Sequence, residues 1–151
     1  MDQSLKPILI EGGIFKDERG KLEFVNNFSL VSIKRMYFSS NANTEIIRAW
    51  QGHKVESRWF YCLQGIVDVR LVAIDNWDNP SKKLKAQKFI LKSNVPQVLF
   101  IPKGYVNGFK SIEANSKLMI FSDFLLNEVP NDEFRFDKNL WTDWNVKLNN
   151  K

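Results

Sequence analysis

The sequence predicts an all-β fold, a single-domain jelly-roll barrel with a short C-terminal tail or helix. Three observations carry this. Short runs of alternating apolar and polar residues recur at intervals of roughly 8 to 12 residues, punctuated by Gly, Pro, Asn and Asp. No run longer than about ten residues has the apolar period of a helix. Apolar residues make up 44% of the 151, with 12 phenylalanines and 5 tryptophans, enough to fill one core. The domain is read as residues 1–151, with its core at about 8–125 and its tail at about 130–151.

Taken in order, the first strand is Ile8 to Ile10, ended by Gly12 and Gly13. Phe15 to Gly20 makes a turn with charge on its rim, and Lys21 to Asn27 is a strand broken by its two asparagines. Val31 to Ser39 alternates as a strand does, and a polar loop to Thr44 follows. Ile47 to Gly65 reads as a hairpin with one polar face and one core face. Beyond it, Val67, Val69 and Leu71 face one way, and Asp68 and Arg70 the other. Asp75 to Ser81 is rich in turn formers. Phe89 to Leu91 and Val98 to Ile101 are strands, the second stopped by the turn at Pro102 to Gly104. Tyr105 to Ile112 and Leu118 to Phe121 complete the set. Only Asp132 to Leu148 is open to a short helix or irregular tail, anchored by Trp141 and Trp144.

The net charge is +5, from 22 Lys and Arg against 17 Asp and Glu. The lysines are scattered, no basic helix or RNA-binding signature is present, and nucleic acid is not the expected partner. The densest group, Lys82, Lys83, Lys85, Lys88 and Lys92, reads as a solvated surface. A mild positive field suits a small anion such as a nucleotide diphosphate. The single cysteine, Cys62, allows no intrachain disulfide, and no zinc-type spacing occurs. With no apolar run of signal-peptide or membrane-spanning length, the expectation is a soluble cytoplasmic protein without membrane attachment.

Chemistry concentrates between Ile47 and Gly65, where the only histidine, His53, lies among Arg48, Lys54, Glu56 and Arg58. His53 is the side chain whose ordinary pKa suits general base work near neutrality, although a lone histidine more often serves structure. Arg48 and Arg58 are candidates for phosphate oxygens, which planar guanidinium groups bind bidentately. Trp50 and Trp59 suit a barrel wall or a subunit contact better than a sugar ring, and Cys62 reads as a buried, inert thiol.

These residues carry a specific resemblance. Lys34-Arg35-Met36-Tyr37, then Arg48 to Lys54, then Cys62-Leu63-Gln64-Gly65 resemble the sugar 3,4-ketoisomerases, which read K-R-x-Y/F, R-G-x-H-A-H-K and C-L-x-G. Asp17 to Gly20 and Pro102 to Phe109 are similar to the D-x-R-G and P-x-G-x-x-H-G-F turns of the dTDP-4-dehydrorhamnose 3,5-epimerases. Both are cupins, so the resemblance implies a cupin jelly roll (double-stranded β-helix). It also implies a cofactor-free isomerase or epimerase of a nucleotide-linked, dTDP-type 4-keto-6-deoxyhexose, serving cell-surface polysaccharide synthesis.

In that frame His53 and Tyr37 are the catalytic candidates, and Arg19, Arg48, Gln51, Lys54, Arg58 and Asn107 the substrate-binding ones. Tyr37 serves equally as a barrel-wall aromatic, and Arg19 as a surface ion-pair partner. The pattern departs from the family at two places, where Gln51 and Asn107 stand for histidines. An amide cannot act as a general base. The alternative is therefore a non-catalytic cupin that binds a sugar or nucleotide and has lost the histidine at the Gln51 position. The cupin metal positions fall on Gln51, His53, Glu56 and Asn107, a poor donor set for a transition metal, so none is expected. The expected partners are a nucleotide-diphosphate sugar and a second copy of the chain, a homodimer in which the N-terminal strand crosses over.

Overall fold

The computed structural model describes residues 5–145. Twelve strands follow one another: β1 (Ile8–Glu11), β2 (Gly13–Asp17), β3 (Gly20–Phe24), β4 (Arg35–Ser39), β5 (Ile47–Gly52), β6 (Arg58–Gln64), β7 (Ile66–Ala73), β8 (Gln87–Lys92), β9 (Gln97–Ile101), β10 (Tyr105–Ser111), β11 (Lys117–Ser122) and β12 (Phe134–Arg135). One sheet runs β1-β9-β6-β11-β4, the other β12-β5-β10-β7-β8, and β2-β3 stands as a separate hairpin. Every pairing is antiparallel, and no helix occurs among the described residues. The expected all-β jelly-roll architecture is the one found.

The two larger sheets bury a core of Phe60, Val69, Leu71, Leu91, Leu99, Leu118 and Ile120. Full burial of each such side chain is worth about 1.5–3 kcal/mol. Tight glycines fit the strands together. Gly65, at φ +80, closes the turn between β6 and β7, and a Cβ there would stand 2.1 Å from the Ser116 hydroxyl oxygen.

A second apolar cluster lies on the outer face of the β5 sheet. Trp50, Val72, Val106 and Trp144 are buried in it, with Trp77, Phe136 and Trp141 packed alongside. It explains why β7 is buried on both faces although its sequence alternates. Asp68 and Arg70 pair at 2.9 Å on that outer face, and Arg70 also donates to the Thr142 hydroxyl at 2.7 Å and the Asp143 carbonyl at 3.1 Å. The Trp144 ring covers the guanidinium at 4.6 Å. A fully buried arginine is tolerable only with donors satisfied in this way.

Four readings differ from the sequence pattern. Ile47 to Gly65 is not a hairpin: β5 pairs with β10 and β12 and β6 with β9 and β11, so the segment crosses from one sheet to the other instead of folding back on itself. Phe15 to Asp17 belongs to strand β2, and only Glu18 and Arg19 turn into β3. Val31 is 93% exposed and β4 begins only at Arg35, because its partner β11 ends at Ser122, opposite Arg35. The stretch from Asp132 to Asn145 is not helical. β12 pairs with β5 at Gly52 and Gln51, and Trp50 and Phe136 exchange backbone hydrogen bonds at 3.1 and 3.2 Å. Residues 146–151 of the expected tail lie outside the described residues.

Candidate functional site

The barrel is open between the edge strand β4 of one sheet and β12-β5 of the other. Two adjoining cavities occupy this mouth, of about 300 and about 420 Å³, and both are lined by Tyr37, Gln51 and Arg58. The inner cavity adds Arg48, Asn107, Phe109 and Arg135. The outer one adds Arg35, His53, Glu56, Asp132 and Glu133.

A β-bulge arranges the inner wall. Opposite β10, Asn107 pairs with Gln51 and Phe109 with Arg48, so one residue, Gly108, faces two, Ala49 and Trp50. Strict alternation would send Arg48 and Gln51 to opposite faces; the extra residue puts both on the cavity side. Ala49 and Trp50 turn outward into the tryptophan cluster. Gly108 is needed there, since a Cβ would lie 2.7 Å from that of Ala49 and 2.9 Å from Trp144. Asn41 accepts from Arg48 Nε at 2.9 Å and fixes its direction.

Glu56 anchors the outer cavity. Its Oε1 takes a hydrogen bond from the Ser122 hydroxyl at 2.5 Å and one from Arg35 at 3.1 Å, and Arg58 Nε lies 2.5 Å away. Burial opposes its ionisation, yet the Ser122 and Arg58 contacts and the Arg58 charge together hold its pKa below the ordinary carboxylate value. Arg58 also donates to the Tyr37 hydroxyl. The two guanidinium groups flank the Tyr37 ring, Arg35 at 5.1 Å and Arg58 at 5.5 Å from its centroid.

His53 is 5% exposed. Its Nδ1 lies 2.5 Å from the backbone carbonyl of Asp132. A carbonyl only accepts, so Nδ1 carries the proton and Nε2 keeps its lone pair. Burial, then the Arg58 charge, lowers the His53 pKa, which keeps the ring neutral. Nε2 is buried and has no hydrogen-bond partner among the described residues. His53 lines the outer cavity, and a neutral imidazole with a bare ring nitrogen is the form a proton-abstracting base takes.

The mouth thus gathers His53, Tyr37, Arg48, Gln51, Arg58 and Asn107. It does not gather Lys54 or Arg19. The Lys54 ammonium lies over Phe134, 4.9 Å from the ring centroid, beside Val129 and Pro130. Arg19 sits at the tip of the β2-β3 hairpin, paired with Asp17 at 2.5 Å, next to a separate hollow of about 250 Å³. Trp50 is in the outer cluster, Trp59 packs on Phe100 at 5.1 Å, and Cys62 is buried in the core.

Reading the sequence misses Asp132, Glu133 and Arg135. Glu133 accepts from the Gln51 amide at 2.6 Å and from Arg135 at 2.6 Å. Glu133 and Arg135 alternate with Phe134 and Phe136, which sends charges to the cavity and rings to the outer cluster, but four residues are too few to mark a strand in the sequence.

His53, Glu56 and Asp132 offer ligand atoms within 4.8 Å of one another, a spacing that could hold a cation. Apart from His53 Nε2, most of their ligand atoms are committed elsewhere. Both Asp132 carboxylate oxygens accept backbone amides, Glu56 Oε1 is held by Ser122 and Arg35, and His53 Nδ1 is bonded to a carbonyl. Arg58 beside the same carboxylate would repel a dication, so this set fits a metal poorly.

The two antiparallel sheets and the mouth between them form a cupin-like jelly roll. The chain belongs to the family described as FdtA: WxcM-like, C-terminal, whose model matches residues 6–138. No curated protein sequence matches it. Among solved structures it is similar to the 3,4-ketoisomerase QdtA of Thermoanaerobacterium thermosaccharolyticum, crystallised as a mutant with TDP-4-keto-6-deoxyglucose. The identity is 20%, the TM-score 0.66, and the match covers 86% of this chain and 87% of that one. A 3,4-ketoisomerase of Helicobacter canadensis gives 19% identity and a TM-score of 0.68 over 87% and 92% of the two chains. The dTDP-4-dehydrorhamnose 3,5-epimerase of Bacillus anthracis, with TDP and PPi bound, gives 19% and 0.73 over 94% and 86%. At these identities the likeness establishes the fold.

Proposed function

We propose that the protein is a cofactor-free isomerase or epimerase of a nucleotide-linked 4-keto-6-deoxyhexose of the dTDP type, acting in cell-surface polysaccharide synthesis. The observation that carries it is His53, a ring with an unpartnered Nε2, lining a cavity that Tyr37 and Arg58 also line. Nε2 takes the proton from the carbon beside the ketone. The C–H electrons form the carbon–carbon double bond, and the carbonyl electrons move to oxygen. Arg58 and the Tyr37 hydroxyl stabilise that enolate oxygen. Donation of a proton by the Tyr37 hydroxyl to the same carbon from the other face inverts it, and the proton held by His53 then restores the phenol. Protonation of the former carbonyl carbon by the His53 imidazolium, with the neighbouring hydroxyl proton passing to the enolate oxygen, moves the ketone. Arg48 and Arg135 supply positive charge for the diphosphate, and Gln51 and Asn107 hydrogen-bond sugar hydroxyls.

The test is incubation with dTDP-4-keto-6-deoxyglucose in deuterated water, followed by NMR at carbons 3 and 5. Exchange at either carbon is expected. Binding without exchange at either would overturn the enzyme reading for this substrate. A second reading, a binding-only cupin, is favoured by Gln51: its amide is locked to Glu133 at the position where the resemblance implies a catalytic histidine.

The working form in this proposal is a cytoplasmic homodimer. Phe15, Leu22, Met36 and Phe38 are exposed on the N-terminal hairpin and the β4 edge, apolar surface that a second copy would cover. Sedimentation at tens of micromolar, the usual range for obligate contacts, should give a dimer, and a monomer would refute it.

A further inference from the structure

One residue outside the predicted site holds His53 in two ways at once. The backbone carbonyl of Asp132 accepts from His53 Nδ1 at 2.5 Å. Its side-chain carboxylate receives the amides of the three residues that follow the histidine: Lys54 at 2.7 Å, Val55 at 3.0 Å and Glu56 at 2.8 Å. Asp132 is 7% exposed, and the three amides fold around its carboxylate as a concave nest does around an anion.

The register of β12 delivers it there. Phe136 exchanges backbone bonds with Trp50, Arg135 pairs with Gln51, and Phe134 with Gly52. Running two residues further back along that zipper brings Asp132 to the loop after His53. Neither contact alone fixes the ring. The carbonyl sets which nitrogen bears the proton, and the carboxylate sets where the loop, and therefore the ring, sits. Glu56 leaves the same loop and binds the arginines that face Tyr37, so the nest also sets the distance between base and cation.

We infer that Asp132 is the positioning residue of the site: its carbonyl holds His53 in the tautomer protonated at Nδ1, and its carboxylate clamps residues 54–56 so that the ring is fixed at the cavity it lines. The role deepens the isomerase proposal and rests on it for its catalytic meaning. The structural claim can be read without any turnover.

Because His53 is the only histidine, protein labelled with ¹⁵N-histidine gives the ring signals of this residue alone. At neutral pH the parent should show one bare and one protonated nitrogen, with the proton coupled to Nδ1. In Asp132→Asn one carboxylate oxygen becomes an NH₂ that faces amide donors, so the clamp loosens. The nitrogen signals should then move toward an exchanging mixture of tautomers while circular dichroism stays that of the folded barrel. Deuterium exchange into the substrate should fall roughly 10- to 100-fold in rate with little change in KM, the scale on which partners that orient a histidine act. Should Asp132→Asn fail to fold, Asp132→Glu keeps the charge but lengthens the arm, and it should shift the same signals. A parent protonated at Nε2, or a folded variant whose ring signals match the parent's, would overturn the inference. A parent that shows the expected tautomer but no exchange leaves the positioning role standing and removes the isomerase reading instead.

Discussion

Arg58 and Tyr37 are joined face to edge at the centre of the mouth: one guanidinium nitrogen donates to the phenol oxygen while the cation stands 5.5 Å from the ring centroid. The hydroxyl's acceptor side is thereby occupied, and its own proton is left to a ligand. Tyr37→Phe keeps the ring between Arg35 and Arg58 and removes only the oxygen. A buried charged donor then loses its acceptor, and a stability loss of about 1.5–3 kcal/mol is expected by denaturant titration. Substrate exchange should slow by roughly 10²-fold or more, as loss of a positioned proton donor does. A variant as stable and as fast as the parent would break the assignment.

Acid should destabilise the fold in two successive windows. The His53 pKa is lowered by burial and by Arg58, so the unfolded chain binds more protons than the native one below the ordinary histidine value of about 6.5. Stability therefore falls as pH drops from there toward the lowered native value. The Glu56 pKa is also depressed, so its contribution is complete above the ordinary carboxylate range and is lost as pH falls through the native value. His53→Gln should flatten the upper window of a stability–pH curve and leave the lower one. An unchanged slope just below the ordinary histidine value of about 6.5 would contradict this.

Gly65→Ala should cost more than the usual glycine replacement. The residue sits at φ +80, and the new methyl would meet the Ser116 hydroxyl oxygen at 2.1 Å. Ser116 in turn accepts from the Ile66 amide at 3.1 Å, so moving it breaks the turn that joins β6 to β7. A loss of about 2–4 kcal/mol is expected, with the double variant Gly65→Ala/Ser116→Gly recovering part of it. No recovery would show that the φ angle, not the clash, dominates.

Cys62 should be silent to thiol reagents. Burial pushes its pKa to about 11, and its Sγ–H donates to the carbonyls of Gln64 and Gly65 at 3.4 and 3.3 Å. At pH 8 the native protein should react with a disulfide reagent only at the rate of global unfolding. Fast labelling of one thiol per chain would contradict the burial.

The barrel was legible because its pattern is local. Alternation in Val67 to Leu71, the turn at Pro102 to Gly104 and the closing Gly65 each sit within a few residues of what they specify. The family motifs were equally local, and they led to His53, Tyr37, Arg48 and Arg58. Two things were not legible. The bulge that turns Arg48 and Gln51 to one side depends on how β10 meets β5, a tertiary fact no window of sequence contains. The partners of His53 lie in a segment whose short strand has only two paired residues, below the length at which alternation speaks clearly. Arg70 shows the same gap: its burial comes from Trp144, far along the chain.

The zipper of β12 onto β5 also sets an order of events on the ribosome. The loop that carries His53 emerges 79 residues before the carbonyl that holds its ring. Strands β1 to β11 can all be translated, paired and packed while the three amides after that histidine still face water. At a synthesis rate of roughly 5–20 residues per second, several seconds separate the base from its clamp. Only the last ten residues of that span, from Ser122 to Asp132, are added with β1 to β11 all made, and the wall that holds His53 is completed only when β12 docks.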